Sequence, residues 1–306
     1  MKVVTTPQPE PVSSTQQPLG VITVTYSPGR HLRAFLDSLP TDVEIILADN
    51  GSTDGVPEKE AADRPNITFL PTGGNIGYGS AINMAATFLK EQRQVDPEFF
   101  LVSNPDVVFT PGAVEELIAC ARRHPQAGAV GPLIREADGS IYPSARNLPN
   151  LKNGIGHALL GAVWKSNPFS QAYLAEHDMD SEHTCGWLSG SCLLLRWDAF
   201  EEIGGFDERY FMYMEDVDLG DRLGRAGYSN VYCPRAEISH DKGHSAGKHP
   251  EVVLPAHHAS AYRYQADRLS AWYLAPVRAA LWVGLKVRGL IAVSCAKQRR
   301  AKKEED

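Results

Sequence analysis

The sequence predicts an α/β protein in which a mixed, mostly parallel sheet is flanked by helices and followed by a C-terminal helical extension. Three observations predict it. Nearly continuous apolar runs, at residues 19–25 (LGVITVT), 43–48 (VEIILA) and 99–103 (FFLVS), have the composition of strands buried on both faces of a parallel sheet. Segments with apolar residues at helical spacing stand between these runs. Each run ends in Gly, Pro, Asn, Asp or Ser, where a strand hands over to a turn.

A chain of 306 residues, 43% of them hydrophobic, can bury a full core. Its formal net charge of -7 argues against a nucleic-acid partner, which would favour a basic excess. The five cysteines (Cys120, Cys185, Cys192, Cys233, Cys295) are odd in number and form no C-x-x-C pair. That pattern indicates neither a disulfide framework nor a zinc site and fits reduced thiols in a cytoplasmic setting. Residues 1–18 are rich in Pro, Gln, Ser and Thr, lack the apolar core of a signal peptide, and read as a disordered tail.

The first strand is stopped by Pro28-Gly29, and Leu32, Phe35, Leu36 and Leu39 follow at helical spacing before the second strand. This is a β-α-β unit. The second strand runs into Asp49-Asn50-Gly51-Ser52-Thr53-Asp54-Gly55, which puts two acids at the carboxyl edge of the sheet, where open α/β sheets bind ligands. A third strand at 66–70 leads into Gly73-Gly74-Asn75-Ile76-Gly77-Tyr78-Gly79 and a helix from Ser80 through Ile82, Ala85, Ala86 and Leu89. Glycines ahead of a helix let a backbone approach a phosphate. The pattern is not G-x-G-x-x-G and follows the third strand, which argues against a nicotinamide enzyme. The fourth strand ends in Asn104-Pro105-Asp106, so Asp106 is a third acid on the same edge. Thr110-Pro111 supplies an N-cap and a first-turn proline for a helix through Val114, Leu117 and Ile118.

Residues 130–133 read as a further strand, with a hairpin turn at Asp138-Gly139. From 142 to 184 the pattern is loop-like, carries Ser144, Arg146, Trp164, Phe169 and Tyr173, and reads as a flap over the cleft. Residues 186–227 then pack a strand, a short helix, a glycine turn and an acid-headed helix into one stretch. In that last helix Asp216, Leu219, Leu223 and Ala226 fall on one inward stripe that Gly227 can end. Asp218 and Asp221 each have an arginine four residues on, the spacing of surface ion pairs worth roughly 0.3 kcal/mol each. Glu215 and Asp216 have none. Acids at a helix start favour its positive end, but the preceding Gly204-Gly205 and Tyr210, Phe211 and Tyr213 suit a cleft wall. Residues 231–233 and 237–239 read as short strands, with His240 just beyond as a candidate ligand.

The C-terminal segment 271–296 is apolar but carries Arg278, Lys286 and Arg288, each costing about 2.5 to 3.5 kcal/mol near a bilayer centre. Spanning is disfavoured. Val283, Val287, Leu290 and Ile291 lie opposite these cations on the helical wheel, and a basic run at 297–303 follows. The segment is expected to lie on an anionic membrane face, or else to pack on the domain as an ordinary helix.

These pieces allow two separate tasks. Magnesium or manganese favours carboxylate oxygens together with substrate phosphate, and neutralising a leaving diphosphate eases cleavage of a sugar-phosphate bond. Asp106 is the candidate metal residue. A carboxylate across the cleft can take the proton of an acceptor hydroxyl, and Asp216 is the candidate general base.

Four motifs in order, LADNGSTDG, GGNIGYGSAIN, SNPDV and GWLSGSCLLLRWDAFEEIGGFDERYFMYMEDVDLGDRL, resemble those of family 2 inverting glycosyltransferases of GT-A fold. The resemblance runs from residue 19 to about 270 and implies a Rossmann-like transferase domain over 19–255, with 256–306 as a basic, membrane-associating helical extension. It implies that Asp49 contacts the donor nucleoside and that Asp106 is the last residue of an Asp-x-Asp metal motif whose first acid is here Asn104. His240 stands where some members place a further metal ligand, and Asp216, preceded by Glu215, matches the catalytic base. Asn75, Gly77, Tyr78, Asn104, Ser144, Arg146, Trp187, Ser189 and Gly190 are the remaining candidates for substrate binding. The segment GPLIREADGSIYPSARNLPN is similar to the branch of the family that moves L-rhamnose from dTDP-rhamnose to N-acetylglucosaminyl-diphosphoryl-polyprenol, building the arabinogalactan linker of a cell wall. That likeness implies a hexosyltransferase using Mg2+ or Mn2+, a nucleotide diphosphate sugar donor and a lipid-linked sugar acceptor, at the inner face of the plasma membrane. A homo-oligomer is compatible with the sequence. Another donor or acceptor within family 2, or a sugar-nucleotide-binding protein without turnover, stays open. A pyrophosphorylase is disfavoured, because Tyr26-Ser27-Pro28-Gly29-Arg30 is too short for its basic glycine-rich loop.

Overall fold

The computed structural model describes residues 17–92, 94–149, 178–240 and 250–305. Residues 1–16 of the tail expected at 1–18 and most of the expected flap, with Trp164, Phe169 and Tyr173, lie outside the described residues.

In chain order the elements are β1 (Leu19–Thr25), α1 (His31–Ser38), β2 (Val43–Asp49), α2 (Val56–Asp63), β3 (Ile67–Pro71), α3 (Tyr78–Gln92), β4 (Phe99–Ser103), β5 (Val107–Phe109) and α4 (Ala113–Arg123). There follow β6 (Ala127–Arg135), β7 (Ile141–Tyr142), β8 (Ala145–Arg146), β9 (His183–Cys185), β10 (Trp187–Leu188), β11 (Cys192–Arg196) and α5 (Trp197–Glu202). The chain closes with α6 (Glu215–Arg225), β12 (Ser229–His240), α7 (Pro250–Arg268) and α8 (Ala275–Glu305).

The main sheet has the order β3-β2-β1-β4-β11-β6-β12-β5. All of these strands except β11 and β5 run the same way. This is the mixed, mostly parallel sheet that the apolar runs predict. Burial on both faces explains those runs. On one face, Leu32 and Phe35 of α1 and Leu117 of α4 share a core with Val21, Leu101 and Ile238. On the other, Ile82 and Leu89 of α3, Phe200 of α5 and Leu223 of α6 share one with Ile22, Phe100 and Leu195. Each such buried Leu, Ile or Phe contributes about 1.5 to 3 kcal/mol.

Several expectations are corrected. Helix α2 and strand β5 are short elements with no clear pattern; α2 buries only Pro57 and Glu60. Thr110 does not cap α4: the helix starts after Gly112, at φ 83°, and the Thr110 hydroxyl instead donates to Glu237 O at 2.8 Å. The two short strands expected at 231–233 and 237–239 are one strand, β12, with an irregular register between Cys233 and Glu237. Pro234 has no N–H to give the ladder, so the sequence reads as a break where the chain makes a bulge. Ala226 is exposed, because α6 ends at Arg225. The pairs Asp218–Arg222 and Asp221–Arg225 form, but both acids are buried. Arg222 also donates to Ile203 O and Gly205 O, and Arg268 reaches Asp221, so these pairs tie elements together instead of decorating a surface. Tyr210 is buried with Val217 and Tyr264 and so is core, not cleft wall.

The division placed at residue 255 falls inside α7, which carries Pro255 and brings Tyr264 to that small core. Helix α8 packs along α7. Val283, Val287 and Leu290 face outward, 53%, 50% and 71% exposed, with Trp272 at 85%. The side chains of the basic run at 297–303 lie outside the described ones. Among the described residues no helix is long and apolar enough to cross a membrane.

Candidate active site

The site forms where parallel strands end. At the end of β2 the Asp49 carboxylate is buried and filled by its own surroundings: Thr25 Oγ1 donates to Oδ1 at 2.7 Å, and the Gly51 and Ser52 N–H groups donate to Oδ2 at 3.0 and 2.9 Å. Asp54 accepts from Gly29 N at 2.9 Å and Val56 N at 3.2 Å, so it holds the turn into α2. Asn50 joins this loop to the glycine turn, accepting from Thr72 Oγ1 at 2.9 Å and donating to Gly77 O at 3.2 Å. Asn75 is exposed, and its Oδ1 accepts from Gly77 N at 3.3 Å. Gly77 is required by its place. It has φ 95°, and a Cβ there would stand 2.7 Å from Phe211 O.

Tyr78, the first residue of α3, donates its hydroxyl to Gly190 O at 2.7 Å, and the Gly190 N–H donates to Asp216 Oδ2 at 3.0 Å. The Val217 N–H donates to Asp216 Oδ1 at 2.8 Å. Glu215 beside it is buried, and its Oε2 has no partner among the described residues. Burial first, and the Asp216 charge second, push the Glu215 carboxyl up to about 8. Burial raises Asp216 as well, but the N–H groups of Gly190 and Val217 and the Arg146 charge oppose the rise. Hydrogen bonds to the charged form favour it. In this coupled pair the proton therefore rests on Glu215 and the negative charge on Asp216. The same burial and the two acids keep the Tyr78 phenol protonated, well above its ordinary value.

Asp106 follows β4, and its Oδ1 meets His240 Nε2, at the end of β12, at 3.1 Å. The His240 ring is buried, and its Nδ1 has no partner among the described residues. A carboxylate and an imidazole with spare capacity at a sheet edge fit a divalent cation of the manganese type, with magnesium drawn to the carboxylate. Asn104 adds no charge and donates its N–H to Ser191 O at 2.8 Å.

The antiparallel pair β8 and β10 sets Arg146 opposite Trp187. The guanidinium lies 5.3 Å from the Tyr142 ring centre and 5.8 Å from that of Trp187. Ser144 is buried and donates to Pro132 O at 3.0 Å, while Ser189 and Ser191 pair their hydroxyls at 3.0 Å. Sequence reasoning missed the roles of Asn50 and Thr72 and, although it placed Phe211 on the cleft wall, the part its carbonyl plays against Gly77 and Tyr78. It also missed the turn at Tyr213 and Met214, both at positive φ (65° and 67°), which starts α6 without a side-chain cap. Their side chains carry no signal for that conformation, which costs non-glycine residues about 1 to 3 kcal/mol and clusters at functional sites.

A Rossmann-like sheet edge with a strand-end Asp and a buried Glu-Asp pair at a facing helix start defines a glycosyltransferase of the GT-A type. Glycosyl transferase family 2 matches residues 21–202, and Glycosyl transferase family group 2 matches 170–286. The chain belongs to glycosyl transferase family 2. It is 50% identical over 296 residues to the N-acetylglucosaminyl-diphospho-decaprenol L-rhamnosyltransferase of Mycobacterium tuberculosis, covering 94% of this chain and 96% of that protein. It is 28% identical over 253 residues to the rhamnosyltransferase WbbL of Escherichia coli K12, covering 81% and 92% of the two chains. In three dimensions it is similar to the mannosyltransferase PcManGT of Pyrobaculum calidifontis, solved with GDP-Man and Mn2+, with a TM-score of 0.55 and 15% identity over 95% of this chain and 76% of that one. That likeness bears on the fold alone.

Proposed function

We propose that the protein is an inverting rhamnosyltransferase that moves L-rhamnose from dTDP-rhamnose to N-acetylglucosaminyl-diphosphoryl-polyprenol, in synthesis of a cell-wall linker. The observation that carries this reading is the 50% identity spread over 94% of the chain to a relative named for such a transfer. The ionised Asp216 takes the proton of the acceptor hydroxyl as its oxygen attacks the anomeric carbon, from the side opposite the leaving nucleotide diphosphate. One displacement inverts the configuration. Glu215, holding its proton, keeps a second charge out of the pocket. Asn75, Gly77 and Tyr78 shape the turn that receives the donor, with Asn104, Trp187, Ser189 and Gly190 on the adjoining walls. Asp49 and Ser144 serve by holding those walls, since their polar atoms are engaged within the protein. Arg146 offers the charge suited to a diphosphate. When bound, a divalent cation (Mg2+ or Mn2+) on Asp106 and His240 would neutralise charge on the donor diphosphate.

A lipid-linked acceptor lies at a membrane face, and the C-terminal segment offers one: Trp272 and Tyr273, just ahead of α8, and Val283, Val287 and Leu290 on it are exposed, with Arg278, Lys286 and Arg288 across the helical wheel. Peripheral attachment at the inner face of the plasma membrane follows from that reading.

The test is a panel of sugar nucleotides offered with N-acetylglucosaminyl-diphosphoryl-polyprenol, with the product's anomeric configuration read by NMR. Transfer from dTDP-rhamnose with inversion is expected. Transfer from a different sugar nucleotide would point to another family 2 activity, and donor binding without product would point to a binding protein.

A further inference from the structure

One cluster of side chains, on the face of the sheet opposite α6, has no part in the proposed transfer. Glu116, Cys120 and His124 recur every fourth residue along α4 and its C-terminal cap, so they share one helix face. Cys233 of β12 and Glu182, just ahead of β9, meet that face. The ligand atoms of Cys120, His124 and Glu182 all lie within 4.8 Å of one another, and those of Glu116, Glu182 and Cys233 do the same. Neither group includes Asp106 or His240. Both thiols are fully buried.

We propose that Cys120, Cys233, His124 and Glu182 bind a structural zinc ion. Two thiols, an imidazole and a carboxylate are ligands of a closed four-coordinate zinc site. Charge supports the assignment: two thiolates, one carboxylate and Zn2+ leave a single negative charge, and Arg123 stands beside it. Its Nη2 lies 2.7 Å from Glu182 Oε2 and 2.8 Å from Glu116 Oε1. The other carboxylate oxygen, Glu182 Oε1, lies 2.7 Å from His124 Nε2. The ion can thus use Oε1 and leave the arginine pair intact. An ordinary ion-pair network would account for Glu116, Arg123, His124 and Glu182, but not for the two buried thiols beside them. Binding releases both thiol protons to solvent, so affinity should rise with pH. The ion would join the end of α4, the middle of β12 and the chain entering β9 at one point. No C-x-x-C spacing announces it, because the ligands come from separate elements.

The full-length protein, purified from zinc-supplemented cells and desalted, should carry one zinc per chain by elemental analysis. Replacement by Co2+ should give the thiolate-to-cobalt charge-transfer absorption. Cys120→Ser with Cys233→Ser should abolish both signals. Because buried positions can affect folding, His124→Ala and Glu182→Gln form a second set on the half-exposed rim. Each should weaken zinc binding by at least about tenfold with an unchanged circular dichroism spectrum. Asp106→Ala should keep the zinc, which separates this site from the cation proposed on the donor. The proposal is overturned if wild type takes up no zinc when offered an excess, if the rim variants bind it as tightly as wild type, or if Asp106→Ala removes it. A mass two hydrogens lower in freshly purified protein, mapped to a Cys120–Cys233 disulfide, would overturn it too.

Discussion

Asp216→Asn tests the proposed base directly, and its two expected effects can be worked out separately. The carboxylate accepts one N–H on each oxygen, from Gly190 at 3.0 Å and from Val217 at 2.8 Å. An asparagine keeps one acceptor and turns an NH2 toward the other donor, leaving a buried N–H unpaired at a cost of about 1 to 3 kcal/mol. Against this, removing the charge relieves the desolvation of Asp216. The terms oppose, so the melting temperature should move by no more than the few degrees, about 2 to 4 °C, that 1 kcal/mol produces in a domain of this size. Turnover is different. Loss of a general base lowers the rate by about 10² to 10⁴, or about 3 to 5 kcal/mol in the barrier. Initial rates of rhamnosyl transfer at saturating donor measure this, and calorimetry with dTDP-rhamnose should find donor binding intact. Glu215→Gln is the control and should cost less, because a neutral amide replaces a carboxyl that already holds its proton. Near-normal transfer by Asp216→Asn would refute the assignment. A larger loss in Glu215→Gln would exchange the two roles, and unfolding of Asp216→Asn would leave Asp216 a helix-start acid and nothing more.

The other predictions can be checked with the same purified protein. Asp106→Ala should abolish transfer and remove the metal dependence of donor binding in calorimetry; equal donor affinity with and without metal in wild type and variant would remove the role. Full-length protein should co-sediment with anionic vesicles, less so as salt screens its Lys and Arg charges, and a chain ending at Leu274 should stay in the supernatant. Equal binding by the shortened chain would leave α8 as a packed helix only. Glu215 makes stability depend on pH: its folded value is raised from 4.5 to about 8, so the folded state holds the proton more tightly than the unfolded chain. That contribution is complete below about pH 4.5 and is lost as pH rises through about 8, so the melting temperature of wild type should fall across this window more than that of Glu215→Gln. Parallel curves for the two proteins would show that Glu215 titrates normally.

Much of the fold was legible because strands buried on both faces must be apolar along their whole length, as in β1, β2 and β4. Elements that escaped are those whose cause is not local. Strand β5 exists because Ile238, Ser239 and His240 of β12 offer Phe109, Val108 and Val107 antiparallel partners. Strand β12 hid behind Pro234, whose missing N–H reads as an end until β6 is seen to pair on either side of it. In the site, the sequence singled out Asp106, His240, Gly190 and Asp216 one by one. What it could not show was that His240 meets Asp106, since they are joined only through the pairing of β12 with β5. Nor could it show that the Asp49 carboxylate is already filled by Thr25, Gly51 and Ser52.

The direction of β11 explains how the proposed base comes to be related to the glycine turn. This strand enters the sheet antiparallel between β4 and β6, so its first residue, Cys192, pairs with the last of β4, Ser103. The chain just before it, Ser189-Gly190-Ser191, is thereby delivered to the carboxyl edge, where Ser191 O accepts from Asn104 N. There Gly190 is held from two sides, its carbonyl by Tyr78 of α3 and its N–H by Asp216 of α6. A Cβ on Gly190 would lie 3.3 Å from Asp216 Cβ and 3.7 Å from Tyr78 Cε1, so the position has little room for any larger residue. One residue thus fixes the distance between the turn proposed to receive the donor and the carboxylate proposed to activate the acceptor. Displacement at a sugar carbon needs the reacting atoms held in line within a few tenths of an ångström. A rigid link through one backbone residue meets that need more directly than two side chains on separate loops would.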